Sequence, residues 1–171
     1  MERINLERGI LMRYLVKQRA FSFGDSYAIK DEDGNDKFLV KGEVFTMGHK
    51  LRLLDTSGLE LIYIEQELFH FKPTFNIYDR GNYVATVKKE LSFFNANFSI
   101  ESSKGNYNIE GELFSHEFSI VKDGIKLAHV SKEWFSFADS YGIEIDDNEN
   151  QEFILSLVIV LDEILYNDKN N

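Results

Sequence analysis

The feature that most constrains this chain is an apolar run near its C-terminal end. The run Phe153-Ile-Leu-Ser-Leu-Val-Ile-Val-Leu161 continues through Asp162 and Glu163 to Ile164 and Leu165. Its length predicts a helix, and the side chains of that helix are apolar on nearly every side. A helix of this kind has to be buried on all sides. The run is shorter than the roughly 20 apolar residues that a bilayer requires, and it therefore predicts a core helix rather than a membrane span.

The segments before this helix predict β-strands. Turn sequences such as Asp33-Gly34, Ser57-Gly58 and Asp123-Gly124 separate β-rich stretches, because glycine and asparagine supply the positive φ that tight hairpins need. We predict twelve strands of ordinary length, at residues 13–20, 25–31, 37–44, 50–55, 59–66, 74–79, 82–90, 96–102, 106–112, 116–122, 126–133 and 140–146. The predicted fold class is mainly β: a twelve-stranded antiparallel barrel, closed so that no sheet edge is exposed, enclosing a central hydrophobic C-terminal α-helix.

A repeated pattern predicts that the two ends of the barrel differ. Arg19–Ile29, Glu67–Ile77, Glu90–Ile100 and Glu133–Ile143 share one spacing of charged and aromatic residues, and Gly42–Phe45 echoes Gly111–Phe114. If strands run up and down, the Gly/Asp/Asn turns collect at a polar end. The other end, the aromatic end, receives Phe21, Phe23, Phe45, Phe69, Phe71, Phe93, Phe94, Phe114, Trp134, Phe135 and Phe137. We predict that these rings plug the barrel; any that are exposed would form a membrane-dipping or partner-binding patch.

The length of 171 residues predicts one domain. We expect residues 1–11 to be an N-terminal extension, residues 12–166 to form the barrel domain, and residues 167–171 to be a polar, frayed tail. Asp146, Asp147 or Asn148 can cap the helix. The chain has no cysteine, which suits the reducing cytoplasm.

The charge balance is acidic, with 19 Lys and Arg against 29 Asp and Glu and a net charge of −10. Such a chain is a poor general binder of nucleic acid. Residues 1–19 are an exception, because they hold five basic and two acidic side chains. This segment is either a solvated strand or a patch for phosphate or anionic lipid. The candidate lipid-binding residues are Arg13, Lys17 and Arg19, which share one strand face by parity, with Lys50, Arg52, Lys88 and Lys89 as helpers.

Catalytic and cofactor motifs do not emerge. There is no Gly-x-Ser-x-Gly elbow and no glycine-rich phosphate loop, and residues 31–36 fail the spacing of a calcium loop, since Gly34 is fourth rather than sixth. His49 and His116 follow the two Gly-Glu-x-Phe copies, so pseudo-symmetry could make them neighbours. We interpret them as ordinary surface or strand histidines, and we expect no metal, no cofactor and no enzymatic activity.

An ordered set of segments resembles a known family. It comprises Tyr14–Gln18, Phe21–Tyr27, Val40–Phe45, Lys50–Asp55, Val84–Glu90, Gly111–Phe114, Ser131–Tyr141 and the closing helix. These segments are similar, in order, to the LURP-one-related proteins, a branch of the tubby C-terminal superfamily, and the chain looks like a bacterial member. The resemblance implies a twelve-stranded barrel around a central helix.

Two functions remain open at this point. The resemblance implies a role at membranes, since tubby domains bind phosphoinositides. The first expectation is therefore a non-enzymatic module that binds anionic phospholipid or phosphoinositide from the cytoplasm, without a transmembrane segment. The alternative is a soluble protein-interaction or scaffold domain with an unknown protein partner, using the aromatic end or the outer sheet. Salt dependence separates the two, because lipid binding through charge weakens as salt rises.

Overall fold

Twelve strands and one long helix make up the part of the chain that the computed structural model describes, which is residues 10–17, 26–43, 46–91, 97–133 and 140–170. The strands are β1 Leu11–Lys17, β2 Ser26–Asp31, β3 Asp36–Gly42, β4 Lys50–Asp55, β5 Glu60–Gln66, β6 Thr74–Asp79, β7 Asn82–Glu90, β8 Asn97–Ser102, β9 Tyr107–Glu112, β10 Glu117–Lys122, β11 Ile125–Ser131 and β12 Ser140–Asp146, and the helix is α1 Gln151–Asn170. All twelve predicted strands are present. β1 begins at Leu11, inside the predicted extension, because Leu11 pairs with Asp146 of β12.

The strands form one antiparallel sheet in the order β8-β7-β6-β5-β4-β3-β2-β1-β12-β11-β10-β9. The pairing of β1 with β12 joins the first strand to the last, so the sheet curls into a nearly closed barrel. The predicted closure is incomplete, since the described residues of β8 and β9 form no ladder with each other. Their connecting turn is tied to the outer neighbours instead: Ser103 N–H donates to the Val84 carbonyl and Asp123 N–H to the Asn106 carbonyl.

The helix fills the barrel as predicted. Every residue from Phe153 to Leu165 is buried, and these side chains share one core with alternate residues of the strands, such as Leu53, Ile62 and Ile77. Full burial of an aliphatic or aromatic side chain stabilises the fold by about 1.5–3 kcal/mol. The helix and the barrel wall therefore need each other, because within residues 10–17, 26–43, 46–91, 97–133 and 140–170 neither has another apolar partner of this size.

The ends of the helix differ from the prediction. The cap is Asn150, whose Oδ1 accepts the Phe153 N–H at 2.8 Å, rather than a residue at 146–148. Asp146 is used differently: its Oδ1 accepts the Asn148 N–H at 2.9 Å and closes its own turn. At the other end the helix continues to Asn170, so residues 167–170 of the predicted frayed tail are helical. Asn167 Nδ2 supports this last part by donating to Glu163 Oε1 at 3.2 Å.

The hairpins of the polar end are ordinary turns closed by an aspartate. Asp31 Oδ1 accepts the N–H groups of Asp33 and Asn35, and Asp55 Oδ1 accepts those of Ser57 and Leu59. The Asn35 N–H lowers the pKa of Asp31, and the Ser57 hydroxyl lowers the pKa of Asp55. The acidic run at residues 31–36 is thus explained as a hairpin turn in which Asp31 accepts backbone N–H groups.

Two glycines allow a direct test of one backbone contact. Gly111 has φ 121°, and a Cβ at this position would lie 2.5 Å from the Glu117 carbonyl oxygen and 2.8 Å from Phe118 Cα. Gly58 also has positive φ but open space around it. Both alanine variants carry backbone strain, and Gly111→Ala adds overpacking, which costs about 1–3 kcal/mol. Urea unfolding should show Gly111→Ala less stable than Gly58→Ala by that amount, and equal midpoints would contradict the contact.

Candidate functional site

Among the described residues of the aromatic end, the turn between β5 and β6, residues 67–73, is the most exposed apolar feature. Phe69 is 97% exposed and Phe71 is 91% exposed. The prediction that these rings plug the barrel is wrong for both, and Phe114 at 48% is half exposed as well. Of the other predicted aromatics, Phe21, Phe23, Phe45, Phe93, Phe94, Trp134, Phe135 and Phe137 lie outside the described residues. The predicted consequence of exposure, an apolar patch, therefore applies to the 67–73 turn.

The base of this turn is fixed while its tip is presented to solvent. Glu67 N–H donates to the Thr74 carbonyl at 2.8 Å, and Lys89 N–H donates to the Pro73 carbonyl at 3.0 Å. At the tip, Phe69 has a φ of 64°, which is an outlier for a bulky side chain. Such a conformation costs on the order of 1–3 kcal/mol. A strained and exposed phenylalanine does nothing for the fold, which points to a use outside it.

Lysines surround the turn. Lys50 begins β4 on one side, and Lys88 and Lys89 are near the end of β7 on the other, where Lys88 pairs with Thr74 across the ladder. Within the turn, Lys72 Nζ lies 2.6 Å from Glu90 Oε2, and Lys72 is the main cause of the lowered pKa of Glu90. Three of the seven predicted lipid-binding residues thus flank the exposed phenylalanines.

The other predicted lipid-binding residues do not join this group. Arg13 Nε lies 2.7 Å from Glu144 Oε1. Arg52 is held by Glu43 and Glu60 and lies over the Tyr63 ring, and the Glu43 hydrogen bond raises the pKa of Arg52. The backbone of Lys17 ends β1 at the aromatic end, and Arg19 is outside the described residues.

Sheet order explains why the predicted set is dispersed. β1, β4 and β7 are each three strands apart in the sheet, which corresponds to about 14 Å along the wall at 4.7–4.9 Å per strand. The seven cations therefore do not form one pocket. The lipid-binding role of each residue stays a prediction, and the group to consider is Lys50, Lys88 and Lys89 around the 67–73 turn.

A buried polar cluster lies on the helix toward the same end. His116 Nε2 is 2.8 Å from Asp162 Oδ1, and the Tyr141 hydroxyl donates to Asp162 Oδ2 at 3.4 Å. The His116 ring stacks on Tyr141 with centroids 4.7 Å apart. Burial, followed by the charge of Asp162, raises the pKa of Tyr141 well above its usual value, so this phenol stays a hydrogen-bond donor to the carboxylate.

The next helix residue is bound in the same way. Glu163 Oε1 lies 2.5 Å from His49 Nδ1, so the two histidines contact consecutive helix carboxylates. They are not neighbours of each other, because His49 precedes β4 and His116 precedes β10, and these strands are six apart in the sheet. The interpretation of His116 as a surface histidine is wrong, since it is 3% exposed. Within the described part of the chain, His116 Nδ1 and Glu163 Oε2 are buried without a hydrogen-bond partner, and no group of three His, Cys, Asp or Glu could hold a metal ion.

The sequence carried a signal for this cluster that the prediction did not use. Asp162 and Glu163 are embedded in an apolar run whose helix is buried all round. Buried carboxylates have to be paired, and matched histidines at the end of two related motifs were the available partners. The exposure of Phe69 and Phe71 had no comparable signal, because their alternation with His70 and Lys72 is also the pattern of a half-buried strand.

Comparison with known proteins identifies the fold and the family. The family model described as LURP-one-related matches residues 12–162. The uncharacterized protein YxjI of Bacillus subtilis (strain 168) is 35% identical over 160 residues, covering 94% of this chain and 98% of YxjI. An X-ray structure of a protein from Arabidopsis thaliana superposes with a TM-score of 0.67 at 19% identity, covering 92% of this chain and 94% of that chain; this likeness concerns the fold, a tubby-like barrel. No helix in the described residues has the length and apolarity to cross a bilayer.

The buried cluster predicts an unequal response to two carboxylate deletions. Asp162→Ala leaves His116 and Tyr141 without their acceptor, and breaking a buried pair from one side costs about 3–5 kcal/mol. Glu144→Ala removes the partner of exposed Arg13, where a surface pair contributes about 0–1 kcal/mol. Urea unfolding should reproduce this difference. Equal losses for the two variants would show that the Asp162 pairing does not hold the helix.

A second prediction concerns alkaline pH. Burial, with Glu65 next, raises the pKa of Tyr63 to about 12 from its ordinary 10.0. Because the folded pKa lies above the unfolded one, the stabilisation is present below pH 10 and is lost as pH rises toward about 12. Urea midpoints of Tyr63→Phe should fall less over this window than those of the parent chain, with Tyr83→Phe as the control for losing a phenol. Parallel curves for parent and Tyr63→Phe would contradict the assignment.

Proposed function

This chain belongs to the LURP-one-related family, and from that premise we propose that it is a non-enzymatic binding module for the surface of anionic phospholipid membranes, acting through its aromatic end. The single observation that carries the proposal is the exposed pair Phe69 and Phe71 beside Lys50, Lys88 and Lys89. In this proposal the protein is cytoplasmic and peripheral at the membrane.

Apolar insertion supplies most of the binding energy in this proposal. Transfer of one phenylalanine side chain out of water contributes about 1.5–3 kcal/mol. The turn adds two such side chains at its tip, and Met47 and Leu91, both 72% exposed, lie on neighbouring connections of the same end. Lysines close to an anionic surface add about 1 kcal/mol each. The combination of exposed apolar rings with flanking lysines is typical of interfacial membrane binding.

The net charge of −10 does not rule out an anionic surface. The carboxylates of the polar end are about 20 Å from the aromatic end, since strands of six or seven residues rise about 3.4 Å per residue. This exceeds two Debye lengths at physiological ionic strength. Closer to the turn, Glu65, Glu67 and Glu90 offset part of the lysine charge. We therefore expect the phenylalanines to supply most of the binding energy, and the salt dependence of binding to be moderate.

The burial of the His116–Asp162 pair supports the non-enzymatic part of the proposal. His116 is 3% and Asp162 is 5% exposed, and the nearer ring nitrogen is engaged by the carboxylate. A general base has to reach a substrate proton within hydrogen-bond distance. A substrate in solvent cannot reach this pair. Its role in the proposal is to fix the position of the helix in the barrel.

Co-sedimentation with liposomes tests the proposal. Phe69→Asn tolerates the left-handed backbone, and combined with Phe71→Ser it should lower binding to vesicles of phosphatidylglycerol and phosphatidylcholine at least about tenfold. The matched control is Leu59→Ser with Ile125→Ser, which removes two exposed apolar side chains from the polar end and should leave binding unchanged. Lys88→Ala with Lys89→Ala should weaken binding at low salt only.

Three results would decide against the proposal. Parent protein that stays in the supernatant with every vesicle composition would exclude membrane binding, and the alternative, a soluble protein-interaction domain that uses the same phenylalanines, would then lead. Equal loss in the polar-end control would show that binding is not specific to the aromatic end. Binding that is unaffected by the phenylalanine variants would exclude the 67–73 turn as its site.

A further inference from the structure

A cavity on the outer wall of the barrel lies beside the 67–73 turn. It has a volume of about 490 Å³ and lies between the β3–β4 and β5–β6 connections, within the size range of small-molecule sites. Its charged lining is Lys50, Glu65 and Glu67, and its apolar lining is Met47 and Leu68. Such a cavity suits a ligand that carries an anionic group for the lysine, a cationic group for the two glutamates, and an apolar chain for Met47 and Leu68.

Lys50 is the group available for an anion. It is directly opposite Glu65 in the β4–β5 ladder, yet it forms no ion pair within the described part of the chain. The reason is that Glu65 is oriented by two phenols, with the Tyr78 hydroxyl donating to Oε1 at 3.0 Å and the Tyr63 hydroxyl to Oε2 at 3.4 Å. A partly buried ammonium without a carboxylate is suited to hold a phosphate oxygen.

The carboxylates are the groups available for a cationic donor. Glu67 Oε1 accepts from Asn76 Nδ2 at 2.8 Å, and Glu67 Oε2 lies 2.7 Å from His70 Nε2. These contacts fix the orientation of Glu67 and leave acceptor sites over, since an ionised carboxylate has about four. Glu65 and Glu67 are two residues apart on β5 and its extension, so both line the same side of the wall.

Charge balance narrows the ligand class. One lysine faces two carboxylates, so an anion alone meets net repulsion in this cavity. A zwitterion with its phosphate at Lys50 and a protonated amine at the carboxylates satisfies all three groups. Phosphocholine lacks N–H donors, and phosphoglycerol lacks the positive charge. The spacing is suitable, because directly opposed strand residues have Cβ atoms about 4.5–5.5 Å apart and the two charges of phosphoethanolamine are joined by a two-carbon link.

We propose that this cavity binds the phosphoethanolamine head group of a phospholipid, with the phosphate on Lys50 and the ammonium on Glu65 and Glu67. The inference rests on the proposed function for its setting, since Phe69 and Leu68 bring the cavity to the level of the head groups. Met47 and Leu68 line the path that the glycerol and acyl chains take toward the bilayer. Lys88 and Lys89 remain outside the cavity and interact with the general surface charge.

The test is an amide-shift titration of the intact chain by NMR with monomeric dihexanoyl phosphatidylethanolamine, the matching phosphocholine lipid and the matching phosphoglycerol lipid. We expect saturable shifts around residues 46–50 and 65–68. The affinity for the ethanolamine lipid should be at least about tenfold above that for the other two, because each of them lacks one charge-assisted contact. Lys50→Ala should abolish the saturable shifts, and Lys50→Arg should keep them. The control is Lys126→Ala on β11.

Glu67→Gln tests the contact between Glu67 and the ligand's ammonium without changing Lys50. This variant should bind the ethanolamine and choline lipids equally, because the phosphate contact with Lys50 persists. Equal affinity for the three lipids, or saturation unaffected by Lys50→Ala, would overturn the inference even if anionic vesicles still bind the protein. Conversely, Lys50-dependent binding of the ethanolamine lipid by a chain that does not sediment with vesicles would uphold the cavity assignment and overturn the membrane-surface function.

Discussion

The burial of α1 inside the barrel is the interaction on which the rest of the structure depends. A helix with apolar side chains on all faces has no stable position in water, and a barrel of this width has no core without it. Asp162 and Glu163 determine how the helix is oriented in the barrel. Asp162 has to contact His116, and Glu163 has to contact His49. Hydrophobic burial is not directional, whereas these short contacts between carboxylate and imidazole fix the rotation and depth of the helix. The cluster therefore specifies how the helix is seated in the barrel.

The up-and-down order of the strands gives the molecule two chemically different ends. Every second connection lies at the same end of the sheet. The repeated aromatic segments therefore collect at one end and the Gly/Asp hairpins at the other. The polar end is closed by aspartates that accept backbone N–H groups, as Asp31 and Asp55 do. The aromatic end presents Phe69 and Phe71 instead. A molecule built this way has one end suited to water and one suited to an apolar or interfacial partner, and the proposed membrane function follows from that asymmetry.

Much of this fold could be predicted because its local signals agree with one another. The alternation in the strands, the glycine turns and the all-apolar helix each indicate a helix-filled barrel, and the structure confirms it. The helix cap at Asn150 was missed because four of the polar residues at 146–150 are Asp or Asn and can cap a helix, and only the turn of Asp146 decides among them. The candidate site was harder to predict, since residues 46–50 and 65–68 meet only through strand register. The exposure of Phe69 depends on a positive φ that no periodicity reports.

The most direct test of the central claim, that the aromatic end meets the membrane and the polar end stays in water, is hydrogen–deuterium exchange of the intact chain with and without anionic vesicles. We expect slower exchange confined to residues 46–50, 67–73 and 88–91, with the hairpins at 32–35, 56–58 and 123–124 unchanged. Slower exchange at those polar-end hairpins, or no change anywhere with vesicles in excess, would contradict it.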